Sequence, residues 1–552
     1  TVSGNVSLAR GAELKLGDSY SLNEGQKLYL MAGAENSGAA VFNSALVLNG
    51  GSISIDARGL SVDSPLLALG GAVTVGSSFG ASCQLSFSNT SVISMETDYL
   101  LATGDWSAVA GKLTCDTGEY LTATLGATSN GLQVTFALAD GYSVWRGDES
   151  VLQAGSKLLF GGFGGSNDVA LSAPASIGSA YFDNLSDVTV SSANGASLTA
   201  DLIEKRGTGA LVINNTVNGD TLRVAESSLL TGSGRLAVDT MEISRGAQAS
   251  ISKLTVVVES AITGDGVLHM GQDSTLQVGS SVGGNVLLTD GSTLVAADSS
   301  VSTNLTLGAN GADSRVSLRM GDSSEVSLNG SIAVQGNTTL SVQGSGALQF
   351  NSAFNKLAAL ELQSGVNLAL SSELSTHLVL DGGSASLSGD NNKILDGDVT
   401  VKNGGTLTFT GTGADIIDYN KSGKTLTVAG GTIDFGSTRQ TIAGWTLTLK
   451  NGAQLLGDGG SYRKADGSGI TDYTAAMDFN NNSIINVTSG ENSIAANIRL
   501  RGGDGRQLTF NVSDGASLDV SGRMHSDSAT ATVGNVVKSG AGSVTISSQV
   551  ML

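Results

Sequence analysis

A short phrase that occurs twice, far apart in the chain, constrains the fold most strongly. Residues 205–213 read Lys-Arg-Gly-Thr-Gly-Ala-Leu-Val-Ile, and residues 538–546 read Lys-Ser-Gly-Ala-Gly-Ser-Val-Thr-Ile. Both follow the pattern Lys-x-Gly-x-Gly-x-apolar-x-apolar, in which two glycines allow a tight turn and the alternating residues begin a strand. A turn-and-strand unit that recurs along a chain predicts stacked repeats rather than one closed globule.

The composition favours strands that enclose a buried core. The 552 residues include 76 glycines and only 2 prolines, and 40% of them are hydrophobic. A disordered glycine-rich chain usually has few large aliphatic residues, whereas strands need their backbone N–H groups and therefore avoid proline. The formal net charge is −20, which argues against a nucleic-acid partner because phosphate binding relies on clustered Lys and Arg.

The spacing of the turns distinguishes a β-sandwich from a β-solenoid. Alternating segments such as Thr406–Phe409 and Thr446–Leu449 each follow a turn of small residues. Turn glycines recur at intervals of 18, 22, 26 and 21 residues, at Gly365, Gly383, Gly405, Gly431 and Gly452. A sandwich gives turn signals about every 8–12 residues, whereas about 20 residues is typical of one solenoid coil. We therefore predict an all-β parallel β-solenoid of roughly 22–28 coils, an elongated rod.

Two interruptions of the alternation predict the domain organisation. A fresh segment opens at Tyr142, so we expect residues 1–140 to form an N-terminal solenoid segment whose closing region contains both cysteines, and residues 141–552 the main solenoid. The Asp- and Gly-rich stretch 457–482 predicts a loop extruded from one coil.

No run of about 20 apolar residues is present, so we expect no transmembrane helix. We interpret the chain, which opens without a signal peptide, as a piece of something longer.

The first copy of the phrase carries a resemblance to a known family. It continues with further matching positions, namely Gly219, Leu222, Val224 and Leu229. This stretch resembles the autotransporter-associated β-strand repeat of large Gram-negative surface proteins, and Tyr99–Phe136 and Trp145 are similar to the close of one such module and the opening of the next. The resemblance implies a right-handed parallel β-helix, an autotransporter passenger at the outer-membrane surface, with a membrane barrel or other anchor outside this chain.

We therefore predict a secreted or surface-exposed adhesin or stalk that makes many shallow contacts. Its expected partners are host or cell-surface glycans and proteins, or other copies of itself. Two alternatives stay open: a β-helix polysaccharide lyase or glycoside hydrolase, and a filament- or layer-forming structural protein. An enzyme would need a cleft-forming loop, and only residues 457–482 offer one, with Tyr462, Arg463 and Tyr473 as candidate binding residues. We expect no catalytic residues and no enzymatic activity.

Two further groups of residues are candidates for binding or stabilisation. Arg146, Gly147 and Asp148 form an Arg-Gly-Asp tripeptide, which on an exposed loop would present a guanidinium and a carboxylate to an integrin-like receptor. The tripeptide also arises easily by chance in a Gly- and Asp-rich chain. Cys83 and Cys115 are predicted to form a disulfide, which would close a loop of about 33 residues and contribute roughly 3–4 kcal/mol. The alternative is two small strand residues, free or buried.

No cofactor and no metal site are expected. The stretches Asp458–Gly460 and Gly502–Gly505 are similar to single units of glycine-aspartate calcium repeats. Such sites need several copies in strict register, each giving oxygen ligands. We therefore prefer turn chemistry for these stretches and keep structural calcium as the alternative.

Overall fold

A computed structural model of the chain shows how the alternating segments are arranged. The structure describes residues 4–551, except 35–36, 77–82, 279–283, 297–299, 302–303, 323, 352–355, 371–372, 389–394, 412–414, 419–421, 443, 462–473, 502–505, 527–533 and 549. It is nearly all-β, with 59% strand and 3% helix, and its strands stack into a β-solenoid of about 22 coils. The predicted all-β parallel β-solenoid is therefore confirmed, with a coil number at the lower end of the expected range.

The chain divides into two compact units, Thr1–Ser250 and Ile251–Leu552. The division that we predicted near residue 140 lies inside the first unit, where the sheets formed by the strands up to Leu138 end and other sheets begin at Tyr142.

The first unit contains two successive groups of sheets. The strands of the first group are Val6–Ala9, Lys27–Met31, Ser52–Asp56, Cys83–Ser88 and Leu113–Asp116; Glu13–Leu14, Ala40–Phe42, Leu67–Leu69, Asp98–Thr103, Gly131–Leu138 and Leu121–Thr128; and Ser19–Asn23, Ala45–Asn49 and Val73–Val75. The strands of the second group are Tyr142–Val144, Lys157–Leu159, Ala175–Asp183, Leu198–Arg206, Thr216–Val224 and Arg235–Ile243; and Asp168–Leu171, Val188–Ser192, Leu211–Ile213, Ser228–Thr231 and Gln248–Ser252. Short 3₁₀ helices cover Ala57–Gly59, Thr90–Val92, Ser107–Lys112 and Glu149–Val151.

One antiparallel element closes the first group of sheets. Leu121–Thr128 and Gly131–Leu138 form a hairpin, here called the closing hairpin, whose second strand also pairs antiparallel with Asp98–Thr103. The buried core of this group also includes Leu159 and Tyr181 from the second group. The core of the first group is therefore continuous with side chains of the coils that follow the closing hairpin.

Among the residues that the structure describes in the second unit, the strands form four parallel sheets and one small hairpin. Its long sheet contains Thr255–Thr263, Thr275–Val278, Thr293–Ala296, Asp313–Met320, Asn337–Gln343, Ala359–Gln363, His377–Asp381, Val399–Lys402, Thr425–Ala429, Thr446–Lys450, Ser483–Ser489, Gln507–Val512 and Asn535–Ser539. The others contain Val267–Met270, Asn285–Leu288, Asn304–Leu307 and Ile332–Val334; Ser300–Val301, Ser324–Leu328, Gly346–Phe350, Val366–Leu370, Ser384–Ser388, Thr406–Thr410, Thr432–Asp434, Gln454–Leu456, Glu491–Ile494, Ser517–Val520 and Ser543–Ile546; and Gln440–Thr441, Met477–Phe479, Ile498–Leu500, Met524–Ser526 and Val550–Met551. The hairpin pairs Gly460–Ser461 with Thr474–Ala475.

The apolar positions of the long sheet explain why its coils stack in register. One inward row of aliphatic side chains, each at most 3% exposed, consists of Leu276, Leu294, Leu318, Val342, Leu362, Leu380, Val401, Val428, Leu449, Val487 and Val512. Burying each Val or Leu contributes about 1.5–3 kcal/mol. Because side chains alternate between faces, a one-residue slip would expose the whole row, so this row fixes the register.

One coil of the second unit is longer than its neighbours. Leu449 pairs with Val487, 38 residues later, whereas Val428 pairs with Leu449 after 21 residues. The small hairpin at Gly460–Ser461 and Thr474–Ala475 leaves the solenoid within this long coil, inside the stretch where we predicted an extruded loop. Residues 462–473, with the candidate binding residues Tyr462, Arg463 and Tyr473, lie outside the described residues.

Candidate functional site

The repeated phrase is a turn held by its own lysine. Lys205 Nζ donates a hydrogen bond to the carbonyl oxygen of Gly207 at 3.0 Å, and Lys538 Nζ donates to the carbonyl oxygen of Gly540 at 2.6 Å. Each lysine therefore folds over the turn and satisfies a carbonyl group two residues later. The two copies share a conformation as well as a sequence, although the first is buried and the second exposed.

The glycines of the phrase are required by the neighbouring coil. Gly207 and Gly540 have φ values of +68° and +79°, in the left-handed region that favours glycine. A Cβ on Gly207 would also overlap the carbonyl oxygen of Asn184, and a Cβ on Gly540 that of Val512. The phrase therefore marks a turn whose backbone lies directly against the preceding coil.

The buried position of Lys205 predicts a rise in stability at alkaline pH. Burial lowers the pKa of Lys205 from 10.5 to about 8, so between these pH values the unfolded chain binds more protons than the native chain. The free energy of unfolding should therefore rise with pH in this window, by up to about 3 kcal/mol relative to Lys205→Met. Urea titrations at pH 7 and pH 10 would measure the difference, with Lys538→Met at the exposed copy as the control. If the free energies of unfolding of the wild type and Lys205→Met differed by the same amount at pH 7 and pH 10, the lowered pKa of Lys205 would be contradicted.

Next to the phrase, a network of buried polar groups joins the closing hairpin to the following coils. Tyr120, which precedes the hairpin, donates a hydrogen bond to Asp183 Oδ2, and Thr90 Oγ1 donates to the same oxygen at 3.4 Å. Arg206 pairs with Glu204, and its guanidinium lies 5.7 Å from the centre of the Tyr120 ring. Tyr120, Asp183 and Glu204 are all at least nine-tenths buried. The network therefore holds these side chains in fixed positions.

Burial shifts the proton equilibria of this network. It raises the pKa of the Asp183 carboxyl, and the nearby charge of Glu226 raises it further. Burial also raises the pKa of the Tyr120 phenol, with the charge of Asp183 as the second cause. Shifted groups that border a cleft identify a candidate site on physical grounds.

These groups border a cavity of about 200 Å³, here called the polar cleft. Its lining consists of Ser86, Phe87, Ser88, Asn89, Thr90, Asp116, Thr117, Gly118, Tyr120, Asp183, Arg206 and Glu226. None of these residues was a candidate site residue on the sequence alone. Arg206 is the variable second residue of the repeated phrase, which is the one signal that could have pointed to the cleft.

The Arg-Gly-Asp tripeptide lies on an exposed turn of the first unit, and nearby backbone groups already bind its charged side chains. Arg146, Gly147 and Asp148 are all exposed. Arg146 Nη1 donates to the carbonyl oxygen of Gly164 at 3.3 Å, and Asp148 Oδ1 accepts the backbone N–H of Ser150 at 2.9 Å. Hydrogen bonds from Ser150 lower the pKa of the Asp148 carboxyl. The carboxylate therefore caps a 3₁₀ helix, and receptor binding by the tripeptide stays a prediction.

The two cysteines are free thiols in the structure, instead of the disulfide that we expected. Cys83 and Cys115 lie on adjacent parallel strands, but Cys83 is opposite Leu113, and Cys115 is opposite Leu85. The thiols are thus two residues out of register. Diagonal neighbours in a sheet are about 7–8 Å apart, whereas a disulfide needs Cα atoms within about 7 Å.

Thiol titration would check the state of these cysteines. Burial raises the pKa of both Cys83 and Cys115 to about 11, so few thiolates are present at pH 8 and the native protein should react slowly with Ellman's reagent. The chain unfolded in urea without reductant should react rapidly at both cysteines. No reaction of the unfolded chain would show that a disulfide had formed.

A second buried ionic cluster lies beside the small hairpin of the second unit. Asp478 is fully buried, and its Oδ2 lies 2.7 Å from Arg501 Nη2, 3.3 Å from Arg499 Nη1 and 3.7 Å from Arg439 Nε. Gly460, at the base of the hairpin, lies against the backbone of Arg439. The cluster therefore supports the coil from which the hairpin leaves the solenoid.

The outer face of the long sheet carries a largely polar row that Val379 interrupts. Its positions, paired from coil to coil and here called the outward row, are Thr255, Thr275, Thr293, Ser317, Ser341, Glu361, Val379, Thr400, Thr427, Thr448, Asn486, Asn511 and Ser539. All but Glu361 and Val379 have a hydroxyl or carboxamide. Most are partly exposed, whereas Ser341 is fully buried. Parallel strands lie about 4.8 Å apart, so the row presents similar hydrogen-bonding groups at a short, regular interval.

Comparisons with known proteins leave the family open. No protein-family model matches the chain, and no curated protein or solved structure matches it. Within the part of the chain that the structure describes, no helix is long and apolar enough to cross a membrane. The described residues also contain no group of three or more His, Cys, Asp or Glu side chains placed to hold a metal ion.

Proposed function

We propose that this protein is an autotransporter-like surface passenger that acts as an adhesin, by binding rather than by catalysis. The observation that supports this proposal is the outward row, in which hydroxyl and carboxamide groups recur on successive coils of the second unit. A parallel solenoid whose apolar side chains face inward leaves such rows as its working surface. The repeated phrase, with its lysine-held turn, supports the resemblance to passenger repeats.

The chemistry of the row favours weak contacts that are repeated many times. Thr427 and Thr448 are direct neighbours, and Asn486 continues the row on the next coil. Each exposed hydroxyl or amide can exchange a hydrogen bond with water for one with a partner, which contributes only about 0.5–1.5 kcal/mol. Several such contacts on one rigid surface add through effective concentration. Cell-surface glycans, extended protein segments or the same face of another copy would all provide repeating polar groups.

A charge-balanced network of ion pairs crosses the row. Glu361 pairs with Arg315, and its other oxygen lies 3.8 Å from Lys402 Nζ. Lys402 is also 3.1 Å from Asp381. Because these side chains pair with one another, the network adds little net charge to the face. Hydrogen bonding therefore remains the main means by which the row would recognise a partner.

Binding and self-association of the purified chain test this proposal. We expect concentration-dependent binding to immobilised mucin or epithelial cells, or association between copies seen by light scattering. Binding should weaken little at high salt, because hydrogen bonds rather than ion pairs carry it. Failure to bind mucin, cells or itself would refute the adhesin. Turnover of a defined polysaccharide by the chain would favour the enzyme alternative instead.

A further inference from the structure

We propose that the polar cleft of the first unit is a binding site for one neutral sugar ring, such as the terminal residue of a glycan. This site is separate from the outward row, which lies in the second unit. Monosaccharide binding and binding through the row can therefore succeed or fail independently.

The size and the lining of the cleft fit a single sugar ring. Its volume is about 200 Å³, comparable to a single pyranose ring and well below the roughly 300–1,000 Å³ of drug-sized ligand sites. Its walls combine acceptors such as Asp116 and Glu226 with the guanidinium donors of Arg206 and the carboxamide of Asn89. Sugar hydroxyls both donate and accept hydrogen bonds, so they match a mixed lining better than an alkyl chain or a simple cation does.

Side chains of the cleft are held in place before a ligand binds. Asp183 lines the cleft while its Oδ2 accepts hydrogen bonds from Tyr120 and Thr90. Arg206 is held between Glu204 and the face of the Tyr120 ring. Glu226 Oε2 accepts the backbone N–H of Gly207 at 3.1 Å. Side chains fixed before binding lose little conformational entropy when the ligand arrives, which allows a small polar ligand to bind measurably.

Charge decides which sugars fit. Three carboxyl groups line the cleft, from Asp116, Asp183 and Glu226, against the single guanidinium of Arg206, which already pairs with Glu204. An acidic sugar would bring a fourth carboxylate into this lining, and like charges at close range repel. The carboxyl groups also do not converge as a metal site. The lining therefore selects a neutral ring over an anionic one.

Ligand-observed NMR on the full chain would test this site, with methyl α-D-glucopyranoside and methyl α-D-galactopyranoside as neutral probes and N-acetylneuraminic acid as the anionic probe. We expect saturation transfer to at least one neutral glycoside at millimolar concentration and none to N-acetylneuraminic acid. Glu226→Gln and Asp116→Asn should each weaken that binding about tenfold, which is the loss of one charge-assisted hydrogen bond. Asp239→Asn, at an exposed strand position outside the cleft, should bind like the wild type.

Four results would overturn the proposal. The first is no binding of either neutral glycoside, and the second is binding of N-acetylneuraminic acid as strong as theirs. The third is unchanged affinity in both Glu226→Gln and Asp116→Asn. Each substitution keeps the shape of the side chain and an acceptor oxygen, and circular dichroism would establish that each variant is folded. Loss of binding in the Asp239→Asn control would also count against the site.

Discussion

Replacing Asp478 by asparagine is expected to lower the free energy of unfolding of the second unit by about 3–5 kcal/mol. The Asp478 carboxylate is fully buried, and Arg439, Arg499 and Arg501 each place a guanidinium nitrogen within 4 Å of its Oδ2. Asparagine keeps the volume but removes the negative charge that these guanidinium groups share. Desolvated positive charges would then face one another without that carboxylate, which costs much more than losing one surface ion pair.

Urea denaturation combined with hydrogen exchange would measure this effect. The amides of Met477–Phe479 and Ile498–Leu500, which form neighbouring strands of the cluster, should lose protection first. Asp265→Asn, an exposed turn substitution in the same unit, is the matched control and should change stability by less than about 0.5 kcal/mol. If Asp478→Asn were as stable as this control, the cluster would not hold the strands together.

The second large effect concerns the glycine of the repeated phrase. Gly207→Ala should cost about 2–5 kcal/mol, because alanine is strained at φ +68° and its Cβ would meet the carbonyl oxygen of Asn184. The control is Gly195→Ala in the same unit, which has a similar φ of +79° but no atom within 4 Å of the added Cβ. That variant should cost only about 1–2 kcal/mol. Thermal unfolding of the two variants would separate backbone strain from contact with the neighbouring coil, and equal costs would show that the contact is unimportant.

The sequence predicted the solenoid because its signal is local and repeated. Alternation in segments such as Thr446–Lys450 places Leu447 and Leu449 inward, and the turn spacing of about 20 residues matches the coil from Val428 to Leu449. The same pattern could not predict the buried polar network around Tyr120. That residue bonds to Asp183, 63 residues away, and neither belongs to a regular alternation. Contacts made once, between segments distant in sequence, leave no periodic trace.

The cysteines show a different limit. The expected disulfide rested on the expectation that the chain is extracellular, but pairing depends on register, and the register places Cys83 opposite Leu113. For the lysine of the repeated phrase, the sequence showed the pattern but not its physical reason. Its sequence pattern was visible, but the hydrogen bond from Lys205 to Gly207 that gives the pattern a physical reason required coordinates.

The central claim is that the outward row is the adhesive surface, and a comparison of two double variants tests it most directly. One variant changes the row, and the other changes exposed positions off the row. Thr427→Lys with Thr448→Lys places two long charged side chains on neighbouring positions of the row. Asn310→Lys with Ser422→Lys adds the same charge at exposed positions off the row. If the row is the adhesive surface, the first variant should bind mucin or cells at least about tenfold more weakly, and the second should bind like the wild type. Equal binding by both variants would contradict the account.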